Sequence, residues 1–435
     1  MLYISTNGNK TVSLQQAVEH CYAGNGDLYL PQRLPQLPRA YFNNIEQMSL
    51  REIAFVVMQT LLDDELEASI LKDIVDRSFD IRLPLVELQP DRYVLEMFHG
   101  PTMAFKDFGT RFMSEVIKHY HRPGNRVRIY VATTGNTGGA VANAIGAVDG
   151  IDAYILFPRE ALTRSQRAQF STIAPNIHPI EVAGNISQCK AMVRQAIEDP
   201  DLSDGASQVC ANTQNILRIL PQVVFFFHTY ARLREKLGAA ADGFSIAIPC
   251  GNLSNLTAAV IARRMGLPMG QIIAGCNAND DFKRVLDGSL APEAVNRTAR
   301  PTLAAAMDSG YPVNLPRLLS LYDGDIAAMR ADIVAVAADD DAIADSINTC
   351  IFNHHYTADP HTAVALYAAA KAAPAGKPVV ALATAHPAKS LDTMTSITGR
   401  TVELPLQYTR FMTKPVAADK LAPSYHALKK YITTH

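Results

Sequence analysis

The sequence lacks paired cysteines: its six cysteines lie far apart and include no C-x-x-C pair. This absence excludes the usual spacing for zinc binding or thiol–disulfide exchange, and it favours reduced thiols in a cytoplasmic protein. No apolar run approaches the roughly 18 residues that span a bilayer. The first residues, MLYISTNGNKTVSLQQ, lack the charged and then apolar pattern of a secretory signal. We therefore expect a cytoplasmic protein with no membrane partner.

The sequence also lacks an excess of either charge, with 40 basic and 42 acidic residues and a net charge of −2. Because there is no basic tract, the composition argues against nucleic acid as a partner. Neither the pair His119 and His121 nor the pair His354 and His355 has carboxylates at ligand spacing, which argues against a metal enzyme. What remains is a chain of 435 residues, 48% hydrophobic, which can form two or three domains with buried cores.

Short apolar runs alternate with helical stretches from about residue 91 onward. Several runs are apolar on both faces, which is typical of strands buried in a parallel sheet. The alternation predicts an α/β fold with doubly wound sheets, whereas residues 11–90 show helical spacing. In that N-terminal part, Ser49 and Glu52 form a predicted capping box. The predicted strands are 92–98, 126–133, 151–158, 177–183, 243–250, 271–277 and 377–384.

The loop after the first of these strands contains a lysine among aromatic residues. In doubly wound sheets, ligands bind beyond the carboxyl ends of the strands. Lys106 lies between Phe105 and Phe108, near the start of a predicted helix. Aromatic burial and the positive end of the helix dipole would both lower the pKa of its amine. Such a lysine can form a Schiff base, and the alternative is an ordinary surface lysine paired with Asp107.

Two further strand ends lead into small polar loops that precede a helix. The stretch ATTGNTGGAVA, residues 132–142, suits a carboxylate or phosphate and fits neither G-x-G-x-x-G nor the P-loop pattern. In PCGNLSNLTA, residues 249–258, the loop Gly251–Asn255 predicts a second anion site. The polar side chains of the first stretch are Thr133, Thr134, Asn136 and Thr137.

A fourth strand end, in VVALATAHPAKS at residues 379–390, places the hydroxyl of Thr384 where it can meet a ligand heteroatom. The nearby His386 is interpreted as a residue that structures the turn. Together the four loops offer an amine, a phosphate site, an asparagine-bearing loop and a hydroxyl. Pyridoxal 5′-phosphate has the complementary aldehyde, phosphate, O3′ and ring nitrogen, so we expect this cofactor.

These stretches also resemble the threonine synthase family. LEMFHGPTMAFKDFGTRFM, at residues 95–113, is similar to the lysine-bearing signature of that family. The resemblance covers nearly the whole chain, because the other matching stretches follow in the family's order: SLQQAVEHCYAGNGDLYLPQRLP, ATTGNTGGAVA, PCGNLSNLTA, AMDSGYPVNLPR, DPHTAVALY and ATAHPAKS. It implies a fold-type II pyridoxal-phosphate lyase that converts O-phospho-L-homoserine and water to L-threonine and phosphate, the last step of threonine biosynthesis.

The resemblance also assigns roles to individual residues of this sequence. It makes Lys106 the catalytic Schiff-base lysine, and it places Asn136 at the cofactor O3′ and Thr384 at the ring nitrogen. The residues implied for the cofactor phosphate are Gly251, Asn252, Leu253, Ser254 and Asn255. The residues implied for the substrate carboxylate are Thr133, Thr134, Asn136 and Thr137, and those for the substrate phosphate are Asn212, Thr213 and Arg218.

Two departures from the family pattern leave the affinity for substrate and cofactor open. Thr213, Gln214 and Ile216 replace the usual residues of the phosphohomoserine segment, and Ser254 stands where the family usually has glycine. One alternative is another enzyme of the same fold, such as a serine/threonine dehydratase or a β-replacement enzyme. A second alternative is a threonine synthase-like protein that binds a phosphorylated metabolite without catalysis.

The expected organisation has three parts. Residues 1–90 form a mostly helical N-terminal region. Residues 91–110 together with 215–435 form the larger cofactor-binding α/β domain, and residues 111–214 form a smaller α/β domain that closes over the substrate. We expect a monomer or a homodimer whose partner is a small-molecule substrate.

Overall fold

A computed structural model gives the fold of the chain. It describes residues 1–24, 26–63, 65–121, 124–159, 162–171, 173–202, 205–295 and 298–434. The strands are β1 (Tyr3–Ser5), β2 (Thr11–Val12), β3 (Tyr29–Pro31), β4 (Leu85–Gln89), β5 (Arg92–Glu96), β6 (Arg126–Ala132), β7 (Ile151–Pro158), β8 (Ile177–Val182), β9 (Ala206–Cys210), β10 (Phe244–Pro249), β11 (Met269–Cys276), β12 (Ile333–Ala337), β13 (Val379–Ala383) and β14 (Asp419–Leu421).

The helices connect these strands. They are α1 (Leu14–Glu19), α2 (Arg39–Asn43), α3 (Leu50–Leu62), α4 (Ala68–Ser78), α5 (Lys106–Tyr120), α6 (Asn136–Ile145), α7 (Arg164–Ala168), α8 (Ile186–Glu198), α9 (Leu220–Leu237), α10 (Ser254–Arg264), α11 (Asp281–Asp287), α12 (Leu315–Leu321), α13 (Ile326–Asp332), α14 (Asp340–His354), α15 (Pro360–Ala372), α16 (Leu391–Thr398), α17 (Leu406–Met412) and α18 (Tyr425–Thr434). Among the described helices, none combines the length and the apolar composition that a bilayer crossing requires.

Two compact units can be distinguished, and each contains one large sheet. The six-stranded unit comprises Pro31–His99 and Ile219–Glu403, together with Met1. The five-stranded unit comprises Leu2–Leu30, Gly100–Arg218 and the chain from Leu404 onward. The predicted domain ranges differ from these units, because residues 2–30 and those after 403 group with residues 100–218. Closure of a smaller domain over the substrate stays a prediction.

The sheet of the six-stranded unit has the strand order β12-β11-β10-β13-β5-β4. Its neighbouring strands are parallel except for β4, which pairs antiparallel with β5. Helix α15 packs against β10, β11 and β13, which explains why these strands are apolar along most of their length. Strands β10 and β13 end directly before Cys250 and Thr384, so their carboxyl ends lead into two of the predicted site loops.

The sheet of the five-stranded unit is parallel throughout, in the order β14-β8-β7-β6-β9. Helix α8 packs against β6, β7 and β9. Strand β6 leads into Thr133, and its neighbour β9 leads into Ala211 and Asn212. The carboxyl ends of neighbouring parallel strands meet at one edge of a sheet. This unit therefore places the loop between β6 and α6, called the threonine loop below, beside the segment that follows β9.

The α/β class and all seven predicted strands are confirmed, as is the capping box at Ser49 and Glu52. The Ser49 hydroxyl accepts from the Glu52 amide at 3.3 Å, and Glu52 accepts from the Ser49 amide at 2.8 Å. The expectation that residues 11–90 are helical is wrong in part. This stretch contains β2, β3 and β4, and β2 and β3 both belong to a sheet of order β2-β1-β3.

Candidate functional site

Lys106 is the first residue of α5, as the sequence predicts, and its side chain is half-buried. Its Nζ lies 4.1 Å from the centroid of the Phe105 ring. Burial lowers the pKa of the Lys106 ammonium to about 7, and the positive charge of Arg218 adds to this effect. The expected lowering of the pKa by burial is therefore confirmed, the contribution of the helix dipole stays a prediction, and Arg218 is a cause that the sequence did not reveal. Near neutral pH, a large fraction of Lys106 is a free amine.

The turn before α5 is fixed by Asp107. The buried Asp107 carboxylate accepts hydrogen bonds from the Thr102 amide at 2.9 Å and the Thr102 hydroxyl at 2.6 Å. A side chain on Gly100 would collide with this carboxylate, and Met103 adopts a left-handed φ of 57°. Asp107 thus joins the turn to the first turn of α5 and fixes where Lys106 begins the helix. From the sequence, Asp107 is expected only as an ion-pair partner for Lys106 in the alternative of a surface lysine.

We expect the substitution Asp107→Asn to lower activity roughly 10- to 100-fold. The single amide oxygen can still accept from the Thr102 backbone amide, while the Thr102 hydroxyl must turn and accept from the NH₂ group. Two charge-assisted hydrogen bonds are thus replaced by neutral ones, at a cost of about 1–3 kcal/mol. Steady-state kinetics and thermal unfolding measure the two effects. The control is Glu115→Gln, which removes a carboxylate that pairs with Lys118 at 2.7 Å on the same helix. Full activity of Asp107→Asn would contradict the positioning role.

The threonine loop lies between β6 and α6. The buried Thr133 hydroxyl accepts from the amides of Gly135 at 2.9 Å and Gly138 at 3.1 Å, so this oxygen holds the loop in shape. Gly135 has a φ of 120°, a conformation that side chains rarely adopt. Asn136 and Thr137 begin α6, where their amides have no intrahelical carbonyl. The loop can therefore offer amides to an anion, and its role at the substrate carboxylate stays a prediction; Thr134 is exposed.

The segment after β9 contains the residues predicted for the substrate phosphate. The Asn212 side chain accepts from the Ala132 amide at 2.9 Å and donates to the Ala132 carbonyl at 2.8 Å, which extends the pairing of β6 with β9. Thr213 is buried beside it in the chain. Any contact of Asn212 with a substrate must therefore coexist with two structural hydrogen bonds.

Arg218 is buried at the end of a 3-10 helix, Ile216–Arg218, that packs against α5. Its guanidinium donates to the Ala211 carbonyl, and burial lowers its pKa to about 10. A Cβ on Gly109 would lie 3.3 Å from Arg218 Nε, so the small residue in α5 leaves room for the guanidinium. The five-stranded unit therefore places a strong cation next to the Lys106 helix.

The loop Gly251–Asn255 connects β10 to α10 in the six-stranded unit. A Cβ on Gly251 would lie 2.7 Å from Met307 Cα, so only glycine fits there without a shift. Leu253 has a left-handed φ of 64°, and the Ser254 amide donates to Asn252 Oδ1 at 3.1 Å. A turn of this kind at a helix N-terminus has the geometry that binds anions, and the phosphate site of this loop stays a prediction.

Thr384 and His386 follow β13. Thr384 is buried at the end of this central strand. His386 Nδ1 accepts from the Ala388 amide at 3.1 Å, so His386 structures the turn, as interpreted from sequence. Across the described ranges, no three His, Cys, Asp or Glu side chains gather as a metal site would require.

Unsatisfied polar atoms test whether these residues suit a cofactor with a phosphate and polar ring substituents. In the described part of the chain, Asn136 Oδ1 and both polar atoms of the Asn255 side chain are buried without a hydrogen-bond partner. A buried unsatisfied group costs about 1–3 kcal/mol, and a ligand with matching groups would remove that cost. Both asparagines lie in loops that the sequence assigns to the cofactor. The residues present therefore fit such a group.

Family models match the chain along most of its length. A model described as "Pyridoxal-phosphate dependent enzyme" matches residues 81–385. A model described as "Threonine synthase N terminus" matches residues 2–79, and one described as "Threonine synthase, C-terminal" matches residues 362–432. The second model precedes the first, and the third overlaps its end and extends beyond it to residue 432, so the resemblance is not confined to the shared catalytic fold.

Individual relatives agree over their full length. Threonine synthase from Escherichia coli K12 is 32% identical, with 100% of this chain and 99% of that protein aligned. Threonine synthase from Haemophilus influenzae is 31% identical over 99% of each chain. The crystal structure of the Escherichia coli threonine synthase covers 100% of both chains with a TM-score of 0.92. A structure of PLP-bound threonine synthase from Brucella melitensis, 29% identical, covers 100% of this chain and 99% of that one with a TM-score of 0.91.

Proposed function

The chain belongs to the threonine synthase family of pyridoxal-phosphate dependent enzymes, and we propose that it converts O-phospho-L-homoserine and water to L-threonine and phosphate. Its cofactor is pyridoxal 5′-phosphate, and its reaction class is that of a lyase. The observation that carries the residue-level proposal is the amine of Lys106. This amine stands at the start of a helix in the family signature, with a pKa lowered to about 7.

We propose the following roles around the cofactor. Lys106 is the Schiff-base lysine, Asn136 bonds to the ring O3′ and Thr384 faces the ring nitrogen. The amides of Gly251–Asn255 hold the phosphate, a role supported by the left-handed Leu253 and by the unsatisfied side chain of Asn255. When bound, pyridoxal phosphate supplies an electron sink for negative charge at the substrate carbons.

The chain itself supplies proton transfer and orientation. Lys106, as a neutral amine, accepts the Cα proton of the substrate, because a lowered pKa lets it act as a base near neutral pH. The amides and hydroxyls of Thr133, Thr134, Asn136 and Thr137 orient the substrate carboxylate. An aspartate facing the ring nitrogen would keep that nitrogen protonated. Thr384 is neutral and cannot do so, which predicts a weaker electron sink. The released phosphate can then serve as a second acid–base group.

The substrate phosphate is assigned to Asn212, Thr213 and Arg218. The planar guanidinium of Arg218 suits a phosphate, and its burial strengthens a charge-assisted hydrogen bond. Thr213 retains a hydroxyl where the family usually has serine. We propose that the substitutions at Gln214, Ile216 and Ser254 alter affinity while the reaction stays the same.

We propose that the protein acts in the cytoplasm on a small-molecule substrate, as a monomer or a homodimer. We further propose that the part of the chain around residues 111–214 closes over the substrate. Small-angle scattering with and without a substrate analogue tests the oligomeric state and the closure. It reports the mass of the particle and the compaction that closure would produce.

We expect the purified, cofactor-loaded protein to release one phosphate per threonine formed from O-phospho-L-homoserine. A coupled phosphate assay and amino-acid analysis measure the two products. O-phospho-L-serine, one carbon shorter, is the control and should give no threonine. Faster conversion of L-threonine to 2-oxobutyrate than of phosphohomoserine would favour a dehydratase. A colourless protein without phosphate release would favour the non-catalytic alternative.

A further inference from the structure

The loop Gly251–Asn255 is hydrogen-bonded to Asn314, a residue far along the chain. The carbonyl oxygen of Asn252 accepts two hydrogen bonds from Asn314, one from its backbone amide at 3.2 Å and one from its side-chain Nδ2 at 2.9 Å. Asn314 is fully buried, as is the helix residue Arg317. All three residues lie in the six-stranded unit. Two donors from one residue therefore fix the peptide that joins Asn252 to Leu253.

Arg317 in turn fixes the orientation of the Asn314 side chain. Arg317 Nη1 donates to Asn314 Oδ1 at 2.6 Å. A guanidinium has only donors, so the atom that it contacts must be the amide oxygen, and the NH₂ end must face Asn252. Helix α12 begins directly after Asn314 and contains Arg317, so the pair occupies a rigid helix start. The result is a chain of hydrogen bonds from Arg317 through Asn314 to Asn252.

The direction of the Asn252 carbonyl decides where the next amide points. The peptides of the described chain include no cis bond, and in a trans peptide the carbonyl and the N–H point in opposite directions. Because Asn314 holds the Asn252 carbonyl, the N–H of Leu253 is turned to the opposite side. Leu253 has a left-handed φ of 64°, the kind of turn that in anion-binding loops brings backbone amides toward one point.

We propose that Asn314 and Arg317 are positioning residues that hold the loop Gly251–Asn255 in its phosphate-binding conformation before the cofactor binds. The inference rests on the proposed function in that the anion is the phosphate of pyridoxal 5′-phosphate. It goes further in assigning a role in cofactor binding to two residues to which the proposed function gives none. Their contribution is preorganisation. Without them, part of the free energy of cofactor binding would be used to order the loop in its left-handed turn, and the affinity would fall.

The variant Asn314→Ala tests this role by cofactor titration. It removes the Nδ2 donor but keeps the backbone amide of residue 314, so half of the contact remains. We expect the dissociation constant of pyridoxal 5′-phosphate, measured with the apoprotein by absorbance, to rise roughly 10- to 100-fold. At saturating cofactor, KM for phosphohomoserine should change less than about twofold. The ³¹P resonance of the bound cofactor should shift or broaden.

The matched control is Asn176→Ala. Asn176 also donates from Nδ2 to backbone carbonyls, those of Ile145 at 3.0 Å and Ile151 at 2.7 Å, and it belongs to the five-stranded unit. Its loss should lower the melting temperature and leave cofactor affinity unchanged. If Asn314→Ala folds poorly, the milder variant Arg317→Lys should show the same loss of cofactor affinity on a smaller scale, because lysine keeps one donor.

The outcomes separate this inference from the proposed reaction. If the native chain binds pyridoxal 5′-phosphate but does not convert phosphohomoserine, the reaction is wrong, while the affinity loss in Asn314→Ala still supports the positioning role. If the native chain is active and both Asn314→Ala and Arg317→Lys bind the cofactor within twofold of it, the positioning role is wrong. A native chain without affinity for the cofactor overturns both.

Discussion

Replacing Lys106 with alanine is expected to abolish turnover and the yellow, borohydride-reducible chromophore of the cofactor-loaded protein. Lys106 is the amine at the start of α5, and its lowered pKa is what a Schiff-base lysine requires. Loss of a nucleophile that also serves as the base should reduce kcat roughly 10⁴-fold or more. The phosphate assay measures the rate. Mass spectrometry after borohydride reduction shows whether the cofactor is attached to the peptide that contains residue 106.

A second lysine of the same helix provides the control. Lys118 pairs with Glu115 at 2.7 Å near the other end of α5 and is 31% exposed. The variant Lys118→Ala should retain the chromophore and nearly native turnover, with a stability change of at most about 0.5 kcal/mol. A Lys106→Ala variant with full activity, or a reduced adduct on another lysine, would overturn the assignment.

The pKa of Lys106 also predicts a pH dependence. The folded pKa is lowered to about 7, so the free amine is present above that pH and is lost as the pH falls through it. The rate at which apoprotein takes up pyridoxal 5′-phosphate should therefore rise between about pH 6 and pH 8 and then level off. Stopped-flow absorbance measures this rate. A rate that keeps rising toward pH 10 would show that Lys106 titrates like an ordinary lysine.

The part of the fold that could be predicted is the part with local signals. Strands such as β7 and β10 are continuous apolar runs, and Ser49 with Glu52 marks a helix start. Strand β9 was missed because ASQVC is short and half polar, and its burial arises from pairing with β6. Strand β14 is largely exposed and is a strand because it pairs with β8, distant in sequence. Such pairings leave no local pattern.

The same limit applies to the candidate site. The aromatic residues next to Lys106 in the sequence predict that its side chain is buried, and burial lowers the pKa of its amine. The second cause, Arg218, lies far along the chain and reaches α5 only through tertiary packing. Sequence also could not tell whether a polar side chain faces a ligand or its own backbone. Thr133 and Asn212 both hold backbone groups in the structure, whereas Asn136 Oδ1 has no protein partner in the described residues.

Replacing Arg218 with methionine is expected to weaken substrate binding far more than cofactor binding. Hydrogen bonds from a charged group to phosphate contribute about 1.5–3 kcal/mol, so KM for phosphohomoserine should rise about 10- to 150-fold. The dissociation constant of pyridoxal 5′-phosphate should change less than about threefold. The control is Arg128→Met, which removes another buried arginine of the five-stranded unit, one that donates to the Leu202 carbonyl at 2.7 Å. It should cost stability without a selective rise in KM.

Because Arg218 lies beside α5, its replacement should also change the pH dependence of cofactor uptake. A residue that only bound the substrate phosphate would not have this effect. The positive charge of Arg218 helps to lower the pKa of Lys106, so Arg218→Met should move the midpoint of cofactor uptake to higher pH. The variant Arg218→Lys keeps a positive charge but loses the planar fork, so it should raise KM while leaving the midpoint near its native value. An equal loss of substrate and cofactor affinity in both variants would mean that Arg218 supports the fold of the site and does not hold the substrate phosphate. A raised KM with an unmoved midpoint in Arg218→Met would mean that burial alone keeps Lys106 uncharged.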